Sequence, residues 1–104
     1  MQRGTTNSPN RGSAADRRRR KCWLLATFGD GISCPCFSCK QVLLFSKLQS
    51  DRIIPGILGG TYRRENLRPS CSSCNIRTGN AVRDLLRQGT AREEVIALCV
   101  AGAL

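Results

Sequence analysis

Apolar residues in this chain come in short groups separated by Gly, Pro, Ser and Arg, and their spacing divides it into segments. Residues 1–12 hold no apolar side chain beyond Met1 and are expected to form a disordered basic arm. Ser13 followed by Asp16 is a capping-box pattern, opening a helix (residues 13–29) expected to end near Phe28. Its first half is basic; its second half carries Trp23, Leu24, Leu25 and Phe28, and Gly29-Asp30-Gly31 stops it. β-Branched, Leu and Phe positions with polar interruptions then predict strands over 41–45 and 48–54. Pro55-Gly56 and Gly59-Gly60 make a loop before a further extended segment near 65–68. Beyond Pro69, residues 71–77 could start a short helix. Residues 80–88 place Val82, Leu85 and Leu86 on one helical face, ended by Gly89. Thr90 with Glu93 is a second capping-box pattern, for a terminal helix through Leu98. The order predicts a small α+β protein, with a central domain over 30–79 and C-terminal helices over 80–104.

The charge is strongly uneven along the chain. There are 17 Lys and Arg against 7 Asp and Glu, a net charge of +10, and no histidine. Arg3, Arg11, Arg17, Arg18, Arg19, Arg20 and Lys21 crowd the first fifth of the chain, opposed there only by Asp16. Such density favours a polyanion, because each phosphate neutralised releases condensed counterions. A solvated, solubilising tail is the alternative. The run Cys22-Trp23-Leu24-Leu25-Ala26 is too short for an export signal, whose apolar core needs roughly 7–15 residues. The apolar C-terminal stretch is about half a membrane span. A cytoplasmic protein with reduced thiols and no membrane partner is expected, and there clustered cysteines mean metal more often than disulfide.

Seven cysteines supply the candidate chemistry. Cys36-Phe37-Ser38-Cys39 and Cys71-Ser72-Ser73-Cys74 are two C-x-x-C pairs, the spacing at which a tight turn lets two thiolates share one Zn²⁺. Together they make a four-cysteine site. The 31 residues between the pairs exceed the spacing of simple zinc ribbons, so the site must enclose a folded insertion. A redox dithiol or plain buried cysteines are the alternatives. Cys34 could exchange with Cys36 as a ligand, whereas Cys22 and Cys99, in apolar helical surroundings, are expected as core residues.

The segments Leu48-Gln49-Ser50-Asp51-Arg52-Ile53-Ile54-Pro55, Gly59-Gly60-Thr61-Tyr62, Glu65-Asn66-Leu67-Arg68-Pro69 and Cys71-Ser72-Ser73-Cys74-Asn75, in that order and spacing, resemble the HNH endonuclease family. The chain as a whole, with its Arg-rich leading helix, is similar to small HNH proteins of bacteriophages. The resemblance implies a ββα-metal (His-Me finger) core stapled by the four-cysteine zinc site, between N- and C-terminal helices. It further implies Mg²⁺ or Mn²⁺ at the scissile phosphate, with Asp51 and Asn75 as its ligands, both oxygen donors that suit hard ions. Asn66 would match the middle Asn, which ties the loop by side-chain hydrogen bonds. Each residue taken alone is also common at a strand end, a helix start or a turn.

Arg52 departs from the family, which has a histidine general base at that position. A guanidinium stays protonated below about pH 12 and cannot take a proton from water. Arg52 could instead clamp the phosphate and stabilise its growing charge, while metal-bound water deprotonates itself at higher pH or Tyr62 assists. The sequence therefore predicts a metal-dependent endonuclease that hydrolyses phosphodiester bonds of double-stranded DNA, contacting it through Arg17, Arg18, Arg19, Arg20, Lys21, Arg63 and Arg64. The alternative is a catalytically impaired, zinc-stapled DNA-binding protein; an RNA-binding zinc protein is disfavoured by the single Trp and Tyr.

Overall fold

The computed structural model describes residues 12–104, so the basic arm expected over 1–12 lies, apart from Gly12, outside the described residues. Helix α1 (Ala14–Phe28) starts at Ser13, whose hydroxyl accepts from the Asp16 N–H at 3.1 Å while the Asp16 carboxylate accepts from the Ser13 N–H at 3.0 Å. Both orphan donors are thus satisfied reciprocally. The buried stripe of α1 is narrow. Leu24 and Leu25 are buried, Trp23 packs partly, and Phe28 stays 44% exposed. Cys22 falls outside that stripe and is exposed, against the expectation of a core residue, whereas Cys99 is buried.

Two small antiparallel sheets follow. Strand β1 (Ser33–Pro35) pairs with β2 (Val42–Leu44), placing Cys34 opposite Leu43, both buried. The strand expected over 41–45 is trimmed because Lys47 and Leu48 turn back to donate to the Leu44 carbonyl. Its partner β1, three residues ending in Pro, carries too little pattern to be expected. Strand β3 (Gln49–Arg52) pairs with β4 (Leu67–Ser70), setting Asp51 opposite Arg68 and Arg52 opposite Leu67. The strand expected over 48–54 ends early, because Ile53 and Ile54 bond to Asn66 instead of continuing the ladder. Within the extended segment expected near 65–68, Arg64–Asn66 is a 3-10 turn and the strand begins at Leu67.

Helix α2 (Ser72–Arg87) is unbroken where two segments were expected. A helical Gly costs roughly 1 kcal/mol against Ala, which Gly79 imposes without breaking a helix packed through Cys74, Thr78 and Val82. Helix α3 (Arg92–Ala101) outruns the expected end at Leu98 and lacks the expected Thr90 cap. The Thr90 N–H closes the end of α2 by donating to Leu85, and Ala91 takes the cap position with no side-chain bond.

The result is a small α+β fold with two modest cores. Leu24, Leu25, Leu43, Leu48 and Leu67 gather with Cys34, Cys36 and Cys74; Leu58, Val82, Val95 and Cys99 gather between α2 and α3. Among the described residues no helix is long and apolar enough to cross a membrane.

Candidate functional site

The first cysteine pair lies in the turn between β1 and β2. The Cys36 N–H donates to Gln41, the Lys40 N–H returns to Cys36, and Lys40 takes a left-handed φ of 68° that closes the turn. The second pair opens α2, with Cys71 as its N-cap. The Phe37 N–H donates to the Pro69 carbonyl at 2.9 Å, tying the first turn to β4 just before Cys71. The four sulfurs lie within 4.8 Å of one another, with Cys39 and Cys71 3.9 Å apart. A tetrahedron with metal–sulfur bonds of about 2.3 Å has edges of about 3.8 Å, so this donor set fits a closed structural metal site. Burial pushes the Cys36 thiol up, but backbone N–H groups of Cys39, Cys71 and Ser38 bring it down to about 6, which favours a thiolate. Cys34 points into the core instead, and burial raises it.

Asp51 and Asn75 come together from different elements. With Ser50, Arg52 and Tyr62 they line a cavity of about 160 Å³ between β3 and α2 that reaches Val82 of α2 and Cys99 of α3. The Asn75 amide donates through Nδ2 to Gln49 Oε1 at 2.7 Å, a bond that does not engage its Oδ1 acceptor. Asn66 sits apart from this cavity and holds the loop. Its Oδ1 accepts from the Ile54 N–H at 2.9 Å, and its Nδ2 donates to the carbonyls of Ile54 (3.0 Å) and Thr61 (2.8 Å). Gly60 lets the loop close this tightly, since a Cβ there would stand 1.5 Å from the Ile54 oxygen.

Sequence reasoning missed Arg68. Its Nε donates to Asp51 Oδ2 at 2.8 Å, its Nη1 donates to the Cys99 carbonyl at 3.1 Å, and its guanidinium carbon lies 3.7 Å from the Phe37 ring centroid. One side chain thus joins the cysteine turn, the Asp51 carboxylate and α3. Burial pushes the Asp51 carboxyl above its ordinary range, and Arg68, with the charge of Arg52, offsets this only in part. Both partners are 9% exposed, so removing one strands a buried charge, which typically costs about 3–5 kcal/mol. Arg68→Met should lower stability to urea by about that amount. Adding Asp51→Asn should recover part of the loss, because the two changes share one interaction. Strictly additive effects would show the pair to be uncoupled.

Basic residues of α1 border a neighbouring cleft that shares Ser50, Tyr62 and Asn75 with this cavity. Arg17, Arg18 and Lys21 line an open cleft of about 550 Å³ whose far wall includes Gln49, Ser50 and Asn75. Arg19 instead pairs with Asp16 and, with Arg63 and Arg64, lines a second groove. Arg20 and Arg52 each lie 4.4 Å from the Tyr62 ring centroid. The place of Arg20 on Tyr62, and of Gln49 and Ser50 at the site, gave no sequence signal, because only the packing of α1 beside β3 creates it.

No curated protein and no solved structure matches the chain. A family model described as HNH endonuclease matches residues 36–90, a span that opens at Cys36, includes Asp51, Arg52, Asn66, Cys71, Cys74 and Asn75, and covers just over half of the chain. The chain therefore belongs to the HNH endonuclease family, which points to nuclease action on nucleic acid.

Proposed function

We propose that this protein is a metal-dependent endonuclease that hydrolyses phosphodiester bonds of double-stranded DNA, with β3, β4 and α2 as its ββα-metal unit. The observation that carries this reading is the shared cavity of Asp51 and Asn75, opening beside a cleft rimmed by Arg17, Arg18 and Lys21. In this reading Cys36, Cys39, Cys71 and Cys74 hold Zn²⁺ and do no chemistry. Asp51 Oδ1 and Asn75 Oδ1 are oxygen donors suited to Mg²⁺ or Mn²⁺. Such an ion supplies Lewis-acid polarisation of the phosphoryl group.

The protein's own part is positioning and charge. Arg68 holds Asp51 in place through Oδ2, and Gln49 holds the Asn75 amide. Asn66 does no chemistry and fixes the loop that carries Tyr62 toward the cavity. Arg52 binds a phosphate oxygen and stabilises the charge that grows on it, a contribution that needs no proton transfer. Without an imidazole, removal of a proton from the attacking water is the weak step. Arg17, Arg18, Arg19, Arg20, Lys21, Arg63 and Arg64 contact the DNA backbone, giving affinity that falls with salt.

The second reading, a protein that holds DNA without cutting it, is favoured by one observation: an arginine occupies the position where a proton acceptor is needed. Supercoiled plasmid separates the two. A nuclease converts it to nicked or linear DNA with Mg²⁺ or Mn²⁺ and not with EDTA. A binder leaves it supercoiled in every lane while still shifting it on a gel.

A further inference from the structure

Tyr62 follows the Gly59-Gly60 loop and borders three hollows at once: the cleft with Arg17, Arg18 and Lys21, the cavity with Asp51 and Asn75, and a groove of about 570 Å³ with Arg19, Arg63 and Arg64. Arg20, from α1, borders both the cleft and the groove. Its guanidinium carbon and that of Arg52, from β3, are each 4.4 Å from the Tyr62 ring centroid. The ring therefore brings together two cations from elements remote in sequence. A guanidinium that meets an aromatic ring through its face can bind phosphate oxygens through its N–H edge. The carboxylates bordering these hollows, Asp16 and Asp51, are held by Arg19 and Arg68.

We propose that the Arg20–Tyr62–Arg52 stack is the saddle of one continuous phosphate track. The sugar-phosphate backbone of one strand of duplex DNA enters along Arg17, Arg18 and Lys21, crosses Tyr62 beside the Asp51 cavity, and leaves along Arg63 and Arg64. Tyr62 acts here as a positioning residue through its ring, not through its hydroxyl. The proposal rests on the DNA reading above for its ligand, but not on whether the strand is cut.

The test is binding of a fluorescein-labelled duplex of about 20 base pairs to the full chain in EDTA, followed by anisotropy across a salt series. Tyr62→Phe keeps the stack and should bind within about twofold of the parent. Tyr62→Leu, which releases both guanidinium groups from the ring before DNA arrives, should bind about fivefold to thirtyfold more weakly, a range capped by the preorganisation that two exposed cation–π contacts can supply. Arg63→Gln with Arg64→Gln should flatten the log–log salt slope by up to about 1.8, since each lost phosphate contact removes about 0.9. The double variant decides the matter if Tyr62→Leu fails to fold. Parental affinity in folded Tyr62→Leu, a loss in Tyr62→Phe as large as in Tyr62→Leu, or an unchanged slope in the double variant would each overturn the track. A chain that meets these binding expectations yet leaves plasmid uncut sinks the nuclease reading alone. A chain that cuts plasmid but shows the parental slope in the double variant sinks the track alone.

Discussion

Chelating the metal from the four-cysteine site at neutral pH should unfold the chain, and adding back Zn²⁺ should refold it. Structural zinc contributes on the order of 10–16 kcal/mol in small domains, whereas a whole domain of ordinary kind is stable by only about 5–15 kcal/mol. If the four cysteines hold Zn²⁺ as proposed, that balance should not survive its loss. Cys36 and Cys74 belong to the same buried cluster as Leu24, Leu43 and Leu67, so the thiol site and the main core are one unit. Far-UV circular dichroism should lose its helical signal with chelator. Cys36→Ser should behave as the metal-free chain, and Cys22→Ser, altering an exposed thiol, should not. Purified protein without zinc, or Cys36→Ser melting with the parent, would remove the staple from the account.

Arg52→His should raise cleavage. General-base catalysis typically contributes about 10²–10⁴-fold, and an imidazole titrates near neutral pH, where an arginine never gives up its proton. The substitution also removes the proposed phosphate contact and one of the two cations over Tyr62, so part of the gain should be offset by weaker DNA binding. Zinc content and fold should not change, because Arg52 lies outside the thiolate cluster and the buried cores. A variant that cuts worse than the parent would mean that Arg52 is a working phosphate clamp and the proton leaves by another route. If parent and variant are both inactive from neutral to alkaline pH while both bind DNA, the binding reading stands instead.

Features written in adjacent residues were legible in the sequence. The Ser13–Asp16 cap, the turn of the first C-x-x-C pair and the Gly59-Gly60 loop depend on local chemistry, and each forms at its expected place, whereas the second pair sits at the start of α2. The first helix was legible for the same reason, since one cap and one stop bound it. What escaped depends on register and packing. Strand β1 is too short, at three residues with a terminal Pro, to show a period of two. Helix α2 crosses Gly79, joining segments expected separately over 71–77 and 80–88, because Cys74, Thr78 and Val82 pack on either side of it. Thr90 is drawn to the end of α2, so a cap pattern valid in isolation is not used. The Asp51–Arg68 pair is the clearest case. The residues are 17 apart in sequence and meet only because β3 and β4 pair with Asp51 opposite Arg68. No composition or spacing rule reveals that register. The same holds for Arg20 and Arg52 across Tyr62, where an N-terminal helix and a central strand must first pack side by side.

Supercoiled-plasmid cleavage by the parent and by Asp51→Ala, with Mg²⁺ and Mn²⁺ and at matched DNA occupancy, asks whether the Asp51–Asn75 cavity is a metal-dependent nuclease site. Asp51 is the carboxylate in the cavity it shares with Asn75, and its replacement removes the proposed ligand without altering a residue of the basic cleft, although it strands Arg68, so only folded variant is compared. The parent should nick or linearise the plasmid in a metal-dependent way, abolished by EDTA and absent in folded, DNA-binding Asp51→Ala. Equal cleavage by parent and Asp51→Ala, or cleavage by the parent that persists in EDTA, would contradict a metal-dependent nuclease site there.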